Sequence, residues 1–487
     1  MLRTFLILIT LVICESKSES SQAFAHKTET VLPVNVTIAQ KIGNEIGNEA
    51  CKWKVSQLGS GDYTSIIEAL DEPCSLTDGY EILLLDSIHS ENLEVNQNSS
   101  IVIKGSNDKP TTWGLIFPYE EIILLKQGFL TLNNIEFDFS YQKGSTEIIL
   151  PSRYLICTEG VEFHPTLTIM KCIFKSVSGI TENNMFQIQI DFASQMNIYD
   201  SNFTGTGTDQ PSNISLILIS NCSETNIKNC IFSNASFISV SSAVFLIADK
   251  DNGSFVVSDC QFINIVSNGE QTTSALSILG FASFNSEISY NNFTNCTAIN
   301  SSVGALFIMD TYTLSNQHII SSNTFTNNYG NYSGAILLVS ENSISNYSFN
   351  NNKFISNGNN QQDGIGQDAF LSFNNTQDEW TIDSISQMLQ IWFNGSVTNA
   401  KNDSVYFIVT KDEVVQMSGS ISLPQSSGTR KISIKLIIGI IAGVVVLIVI
   451  IVVIIITVVL CKKKKQKFNY SDLEKKSLLD RPYQEKA

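Results

Sequence analysis

Residues 323–340 read NTFTNNYGNYSGAILLVS: one Phe among asparagines, a Tyr-Gly turn, then a small-residue pair leading into an aliphatic run. Both halves recur. Phe325 has counterparts at the ends of LNNIEF, IMKCIF, IYDSNF, IKNCIF, VSDCQF, ISYNNF and FNNNKF, which are Phe137, Phe174, Phe203, Phe232, Phe262, Phe293 and Phe354. After a first gap of 37 residues the Phe-to-Phe spacings are 29, 29, 30, 31, 32 and 29. Five residues before each Phe stands an apolar residue: Leu132, Ile169, Ile198, Ile227, Val257, Ile288, Ile320 or Phe349. The second half returns as SAVFLI, SALSIL, GALFIM, GAILLV and DAFLSF, placing Ala243, Ala275, Ala305, Ala335 and Ala369 at intervals of 32, 30, 30 and 34.

Each unit thus holds an apolar strand, a bend, a short strand ending in Phe, a polar turn and a third strand opened by a small residue. About thirty residues in three short strands cannot bury their own apolar face, but stacked copies can, with parallel strands ~4.8 Å apart. The phase agrees: Phe255 and Val257 share one face, Cys260 and Phe262 share another, and a bend at Ser258–Asp259 lets both pairs point inward. The Val, Ile and Phe content, punctuated by Asn, Ser and Gly, favours strands over helices. A parallel β-helix is the predicted architecture.

Earlier in the chain, GSGDYTSIIEAL (59–70) reads as a short capping helix started by Thr64 or Asp62, followed by strands in EILLL (81–85), SIVIKG (100–105), LIF (115–117) and IILL (122–125). The less regular ends, with Trp53, Trp380 and Trp392, are expected to cover the open edges of the coil.

The flanks place this coil relative to a membrane. Residues 4–14, TFLILITLVIC, follow Arg3 and precede a polar ESKSES, the pattern of a secretory signal. Residues 436–461 are 26 uncharged residues between Lys435 and Lys462–Lys465, long enough to span a bilayer as a helix with the basic run inside. The tail from 462 carries nine basic and four acidic residues, a net +5, which leaves −21 of the total −16 to the rest. An acidic exterior argues against nucleic acid and other polyanions as ligands. Eight cysteines remain outside (Cys51, Cys74, Cys157, Cys172, Cys222, Cys230, Cys260, Cys296); their even number suggests disulfides, and the absence of CxxC argues against zinc.

The elements quoted above also carry a resemblance. A Phe-x-x-Asn element alternating with a Gly-Gly-Ala-Ile element is the signature of the chlamydial polymorphic membrane proteins. Phe325–Asn328 and Phe354–Asn357 match the first element, whereas Phe232, Phe262 and Phe293 have Asn two residues on; Ser333–Ile336 is SGAI and Val303–Leu306 is VGAL. Over about residues 60–375 the chain resembles that family, and more broadly the right-handed, pectin-lyase-like β-helix proteins. The chlamydial proteins end in an outer-membrane barrel, so the C-terminus departs from them. The whole is similar to single-pass surface proteins of unicellular eukaryotes, and that resemblance implies adhesion.

The resulting fold class is all-β: a right-handed parallel β-helix ectodomain plus one transmembrane α-helix. Its expected segments are a signal peptide (1–16), an N-terminal cap (17–60), the β-helix (61–375), a C-terminal cap (376–417), a juxtamembrane linker (418–435), the membrane helix (436–461) and a cytoplasmic tail (462–487).

No active site is read. β-Helix lyases use a basic residue and usually Asp-bound Ca²⁺, and the hydrolases use paired Asp, yet no Lys or Arg lies between Asp251 and Asn352. Asp249 and Asp251 form the one D-x-D of the repeats and fit a solvated turn. His26, His89, His164 and His318 are scattered, with His318 phased toward the core. No catalytic, cofactor or metal residues are therefore assigned.

Asn234, Asn264, Asn295 and Asn327 each follow the repeat Phe by two and are expected to form an amide ladder, a reading that competes with glycosylation at Asn234 and Asn295, which are also sequons. Of fifteen sequons outside the membrane, Asn202, Asn292, Asn331 and Asn346 are the glycosylation candidates, the first two facing out one residue before the Phe. Cys172, Cys230 and Cys260 share an inward column, as a Cys230–Cys260 disulfide or as buried thiols. In the tail, Tyr470 and Leu473 form a Tyr-x-x-Φ pattern, and Glu474, Leu478 and Leu479 an acidic dileucine pattern; clathrin adaptors are the partners such signals would bind. The sequence reading is a non-enzymatic type I surface glycoprotein at the plasma membrane, binding a glycan or protein surface outside and cycling through endosomes or lysosome-like compartments. The alternatives are an endosomal cargo receptor and, less favoured, a membrane-anchored polysaccharide-active enzyme.

Overall fold

The structure, a computed structural model, describes residues 50–426 except 107–108, 115–121, 139–153, 159–163, 177–185, 208–211, 213–214, 239–240, 250, 269–274, 300–301, 312–315, 342–345, 361–365, 375–379, 401–402 and 412–413. The signal segment, most of the N-terminal cap, the strand expected at 115–117, the segment 436–461 and the tail with Tyr470, Leu473, Glu474, Leu478 and Leu479 lie outside the described residues. Among the described residues no helix is long and apolar enough to cross a membrane.

The chain forms a parallel β-solenoid of about eight turns. Three walls repeat along it. The first, from Ile123–Asn133 to Asn346–Ser348, holds the apolar residue five before seven of the eight Phe, and Leu132, Ile169, Ile198, Ile227, Val257, Ile288 and Ile320 lie in register. We call it the Ile wall. The Phe wall runs from Ile135–Asp138 to Lys353–Ile355. The Ala wall runs from Tyr154–Thr158 to Val405–Lys411.

All eight repeat Phe residues are fully buried, and they stack in register with ring centroids 4.7–5.3 Å apart and planes within 15°. Parallel pairing of equivalent residues puts identical side chains one above another, so each ring covers its neighbour's face. Trp113 continues the stack toward the N-terminus and His89 meets it edge-on. Each such aromatic pair is worth ~0.5–1.5 kcal/mol beyond the area it buries.

The corners explain how residues five and two before the Phe both point inward. At Phe−3 every turn holds a left-handed residue: Asn134, Lys171, Asp200, Asn229, Asp259, Tyr290, Ser322 and Asn351, with φ between 51° and 59°. One such residue breaks strand alternation and turns the chain. Asn234, Asn264, Asn295, Asn327 and Ser356 do the same two residues after the Phe, where Asn tolerates the conformation better than most side chains.

Ala243, Ala275, Ala305, Ala335 and Ala369 are buried as the Ala wall begins. Gly334, beside Ala335, has no room for a side chain: a Cβ there would lie 2.3 Å from the Asn328 carbonyl oxygen.

Parallel pairing extends beyond 61–375, from Cys51–Val55 against Tyr80–Leu84 to Val405–Lys411 against Ala369–Asn374. At the N-terminal end a short helix, α1 (Ile66–Asp71), is capped by Ser65, whose side chain accepts from the Glu68 N–H. The expected start at Thr64 or Asp62 is thus displaced. Thr64 lies just outside the helix, donating its backbone N–H and hydroxyl to the Glu68 carboxylate. Cys51 and Cys74 form a disulfide across this region.

At the other end α2 (Ile382–Trp392) begins with a reciprocal Thr381–Ser384 capping box. It buries Ile385 and Leu389 and sets Trp392 against Tyr347, Phe349 and Phe373. A strand at Val414–Ile421 then folds back antiparallel on Val405–Lys411, so Ser418–Ile421, expected in a linker, belong to the sheet.

Candidate functional site: outer walls and buried corners

The outward positions of the Phe wall carry Asn202 and Asn292, both exposed, as the phase predicts; Asn346 is exposed as well. Asn331 is half-buried and accepts from the Asn360 amide at 2.6 Å. The amide ladder after the Phe links three of the four expected residues: Asn264 donates to Asn234 at 3.3 Å and Asn295 to Asn264 at 3.1 Å, while Asn327 shares the left-handed position. It runs along the outside of the corner, so Asn234 and Asn295 are themselves exposed. Asp249 and Asp251 accept from the backbone N–H groups of Asn221 and Ser283, which makes them loop braces on adjacent turns.

Two further columns lie inside the corners, where the sequence reading placed only three cysteines. The first, two residues before the Phe, runs through Cys172, Ser201, Cys230, Cys260, Asn291, Asn323 and Asn352 and ends on Ser396, two before the Thr398 that pairs with Phe354; all are buried. Asn323 shows what a member does. Its amide donates to the Ile288 carbonyl at 2.8 Å, and its carbonyl oxygen accepts from the Asn291 backbone and side chain at 2.9 and 3.0 Å. Cys260 makes weaker versions, its thiol donating to Ile227 and accepting from the Cys230 N–H.

The second column, three residues after the Phe, contains Cys296, Asn328 and Asn357, and Asn357 ends on Asp368 at 3.1 Å. These are the Asn residues of the two full Phe-x-x-Asn elements. At a left-handed corner the backbone has lost its regular ladder partners, and the side-chain amide replaces them.

Cys172, Cys222, Cys230, Cys260 and Cys296 are all free and buried, so a Cys230–Cys260 disulfide is not formed. Burial pushes the Cys172 and Cys296 thiols up to about 12. It raises Cys260 as well, with the neighbouring Cys230 thiol adding to the effect. Protonated thiols in an apolar corner are poor nucleophiles.

Two histidines of the coil, His318 and His89, sit in interior polar clusters. Toward the C-terminal end, Ser286 Oγ meets His318 Nδ1 at 2.9 Å and His318 Nε2 lies 3.4 Å from Asp310 Oδ2. The Tyr347 hydroxyl and the Asn316 amide also donate to Asp310, each at 3.0 Å. The order hydroxyl–imidazole–carboxylate matches a nucleophilic triad, yet Ser286, His318 and Asp310 are 3%, 0% and 0% exposed. In this structure their chemistry is hydrogen bonding within the core.

Toward the N-terminal end the His89 imidazole lies 2.9 Å from Glu91, whose carboxylate accepts from the first-turn amides of α1, Ile66 and Ile67. Asp86 accepts from Ser56 and Gln57. Together these carboxylates fasten the N-terminal segment to the coil. His164 bonds the Phe192 carbonyl, and His26 is outside the described residues.

Among the described residues no group of three His, Cys, Asp or Glu could hold a metal ion. A shallow cleft of about 550 Å³ opens outside the Phe wall near the N-terminal end, between Leu85, Ile88, Pro110, Lys109 and Glu136. No protein-family model matches the chain, and comparison with curated proteins and with solved structures likewise found no match.

Proposed function

We propose that the chain is a single-pass, type I surface glycoprotein whose β-solenoid binds a glycan or protein surface without chemistry. The carrying observation is the division of its polar groups. The histidine–carboxylate clusters are internal, whereas the outward positions of the Phe wall bear Asn and Thr around Phe203, Phe293 and Phe325, and a mixture of Ile, Ser, Gln and charged residues in the other turns, on a rigid aromatic stack. Such a wall offers many equivalent weak contacts, which favours multivalent adhesion. The coil is right-handed in this reading, as parallel crossovers nearly always are, and its kinship is with pectin-lyase-like and polymorphic-membrane-protein surface domains. The apolar segment 436–461 anchors it, the signal 1–16 exports it, and Asn202, Asn292, Asn331 and Asn346 carry glycan.

Cells displaying the full chain are expected to bind a glycan or cell array above cells displaying an unrelated anchored domain; no gain on any surface would sink the adhesion reading. Glycopeptide mapping is expected to find sugar on Asn202 and Asn292, and bare asparagine at both would overturn the assigned outer face. A cargo receptor is the second reading, favoured by the tail signals. It gains if changing Tyr470, Leu478 and Leu479 to Ala traps the chain at the surface and halts ligand uptake, and it falls if uptake is unchanged.

A further inference from the structure

The Ile wall turns an unusual surface outward near the N-terminal half of the coil. On three consecutive strands, 129–133, 166–170 and 195–199, the nine outward positions hold no charge, although the chain outside the tail carries a net −21. None of the nine is a sequon asparagine.

Two of the nine are aromatic. Phe129 is 54% exposed, so its ring forgoes burial free energy that a ligand could supply. Tyr199 is half-buried and donates its hydroxyl to Asn197 Oδ1 at 3.1 Å, two residues back on the same face. That reach lays the ring along the wall, with one ring face toward solvent. Phe129 aligns with Gln195 through Thr166, so the two aromatics stand two turns and four residues apart, ~16 Å on the diagonal.

Thr168 lies at the midpoint of that diagonal, and the polar groups around it are held in place. Asn197, 7% exposed, donates to the Thr168 hydroxyl at 3.3 Å and accepts from the Asn226 amide of the next turn at 3.1 Å. The Thr168 hydroxyl hydrogen, the Gln195 amide and the Asn226 carbonyl oxygen have no partner among the described residues. All three belong to outward positions.

We propose that this face binds a neutral oligosaccharide laid across the wall from Phe129 to Tyr199. A pyranose has an apolar C–H face and a rim of hydroxyls. The two aromatic rings suit the first, and the three unused polar groups between and beside them suit the second, an apolar surface with a few fixed polar groups. Area and charge choose this ligand over others. Three strands of five residues cover roughly 240 Å², well below the ~800 Å² that each partner of a specific protein complex contributes. An acidic glycan would find no cation among the nine positions and an acidic exterior around them. The inference rests on the ligand-binding reading above and narrows its ligand to a neutral glycan on the Ile wall.

The test applies cells displaying the full chain to an array of neutral and acidic oligosaccharides. Binding to a neutral glycan is expected, unchanged between about 0.05 and 0.5 M salt because no ion pair is involved. Phe129→Ala and Tyr199→Ala should each lower the apparent affinity roughly tenfold. Tyr199→Phe, which keeps the ring and loses its tie to Asn197, should fall between the wild type and Tyr199→Ala. Equal surface display and equal protease resistance of the coil show that folding is retained in each variant.

Glycan binding that both alanine variants retain in full would overturn the inference. So would binding confined to acidic glycans, binding abolished by salt, or attachment to cells that survives enzymatic removal of their surface glycans. Each of these outcomes leaves the adhesion reading in place. A chain that attaches to no glycan and no cell surface defeats both.

Discussion

At Asn323 one side chain closes four hydrogen bonds between successive turns, and all its partners are buried. Asn323→Ala would leave the Ile288 carbonyl and the Asn291 N–H unpaired at ~1–3 kcal/mol each. A fall in the urea midpoint worth about 3 kcal/mol is expected, and an unchanged midpoint would refute the role assigned to the column. Because Cys260 does the same work through a weak thiol, Cys260→Asn is expected to raise stability by about 1 kcal/mol in the same assay.

Asp368 ends the second column, and burial pushes its carboxyl up to about 6 from 3.8, against the opposing hydrogen bonds from Thr398, Asn357 and Ser404. The unfolded chain therefore loses this proton first. Stability from this group is full below pH 3.8 and is lost as pH rises through 6. The loss amounts to about 3 kcal/mol. Asp368→Asn should gain on the wild type across that window when unfolding is followed as a function of pH, and parallel curves would show that Asp368 is not the titrating group.

Among the elements, the Phe wall and its corners divide the work of burial and direction. Phe262 contacts the rings of Phe232 and Phe293 and is fully buried. Phe262→Ala is expected to cost about 3–5 kcal/mol. Three residues earlier Asp259, exposed at φ 57°, contributes backbone direction. Asp259→Gly should be tolerated, while Asp259→Val should cost about 1–2 kcal/mol because a branched Cβ resists the left-handed region. Thermal unfolding of the three variants checks the division; equal losses at Asp259→Gly and Asp259→Val would deny the corner its left-handed requirement.

The strands and their register were legible because parallel stacking demands the same residue type at the same place in every turn. The Asn columns were less so. Asparagine is common throughout, and whether Asn291 or Asn292 faces inward depends on a left-handed residue at Tyr290 that no strand alternation predicts. The doubled NNF and NNKF spellings, with the first Asn two before the Phe in NNF, were the available signal.

In the whole molecule, each turn contacts mainly its neighbours, so turns should be separable units. Gln261 and Asn292 occupy equivalent places in successive turns. Excising 261–291 should therefore join Cys260 to Asn292 in register and leave a shorter coil, with the β-sheet circular dichroism per residue retained. Removing half that length should misalign every later turn and collapse the protease-resistant core. A chain that survives both deletions equally would not be a registered solenoid.

By itself the sequence determined the period, the Phe and Ala positions and hence the parallel coil, since these follow from side-chain type repeated at nearly constant spacing. The tertiary structure alone decided what the corners do. It turned scattered Asn, Cys and Ser into two internal hydrogen-bonded columns. It closed His318, Asp310 and Ser286 into the core. It folded Val414–Ile421, expected partly in a linker, back onto the last parallel strand of the coil. The physical reason is the same in each case. Burial of a polar group is fixed by backbone direction at the corner and by which strand comes last, and neither is a property of the residue alone.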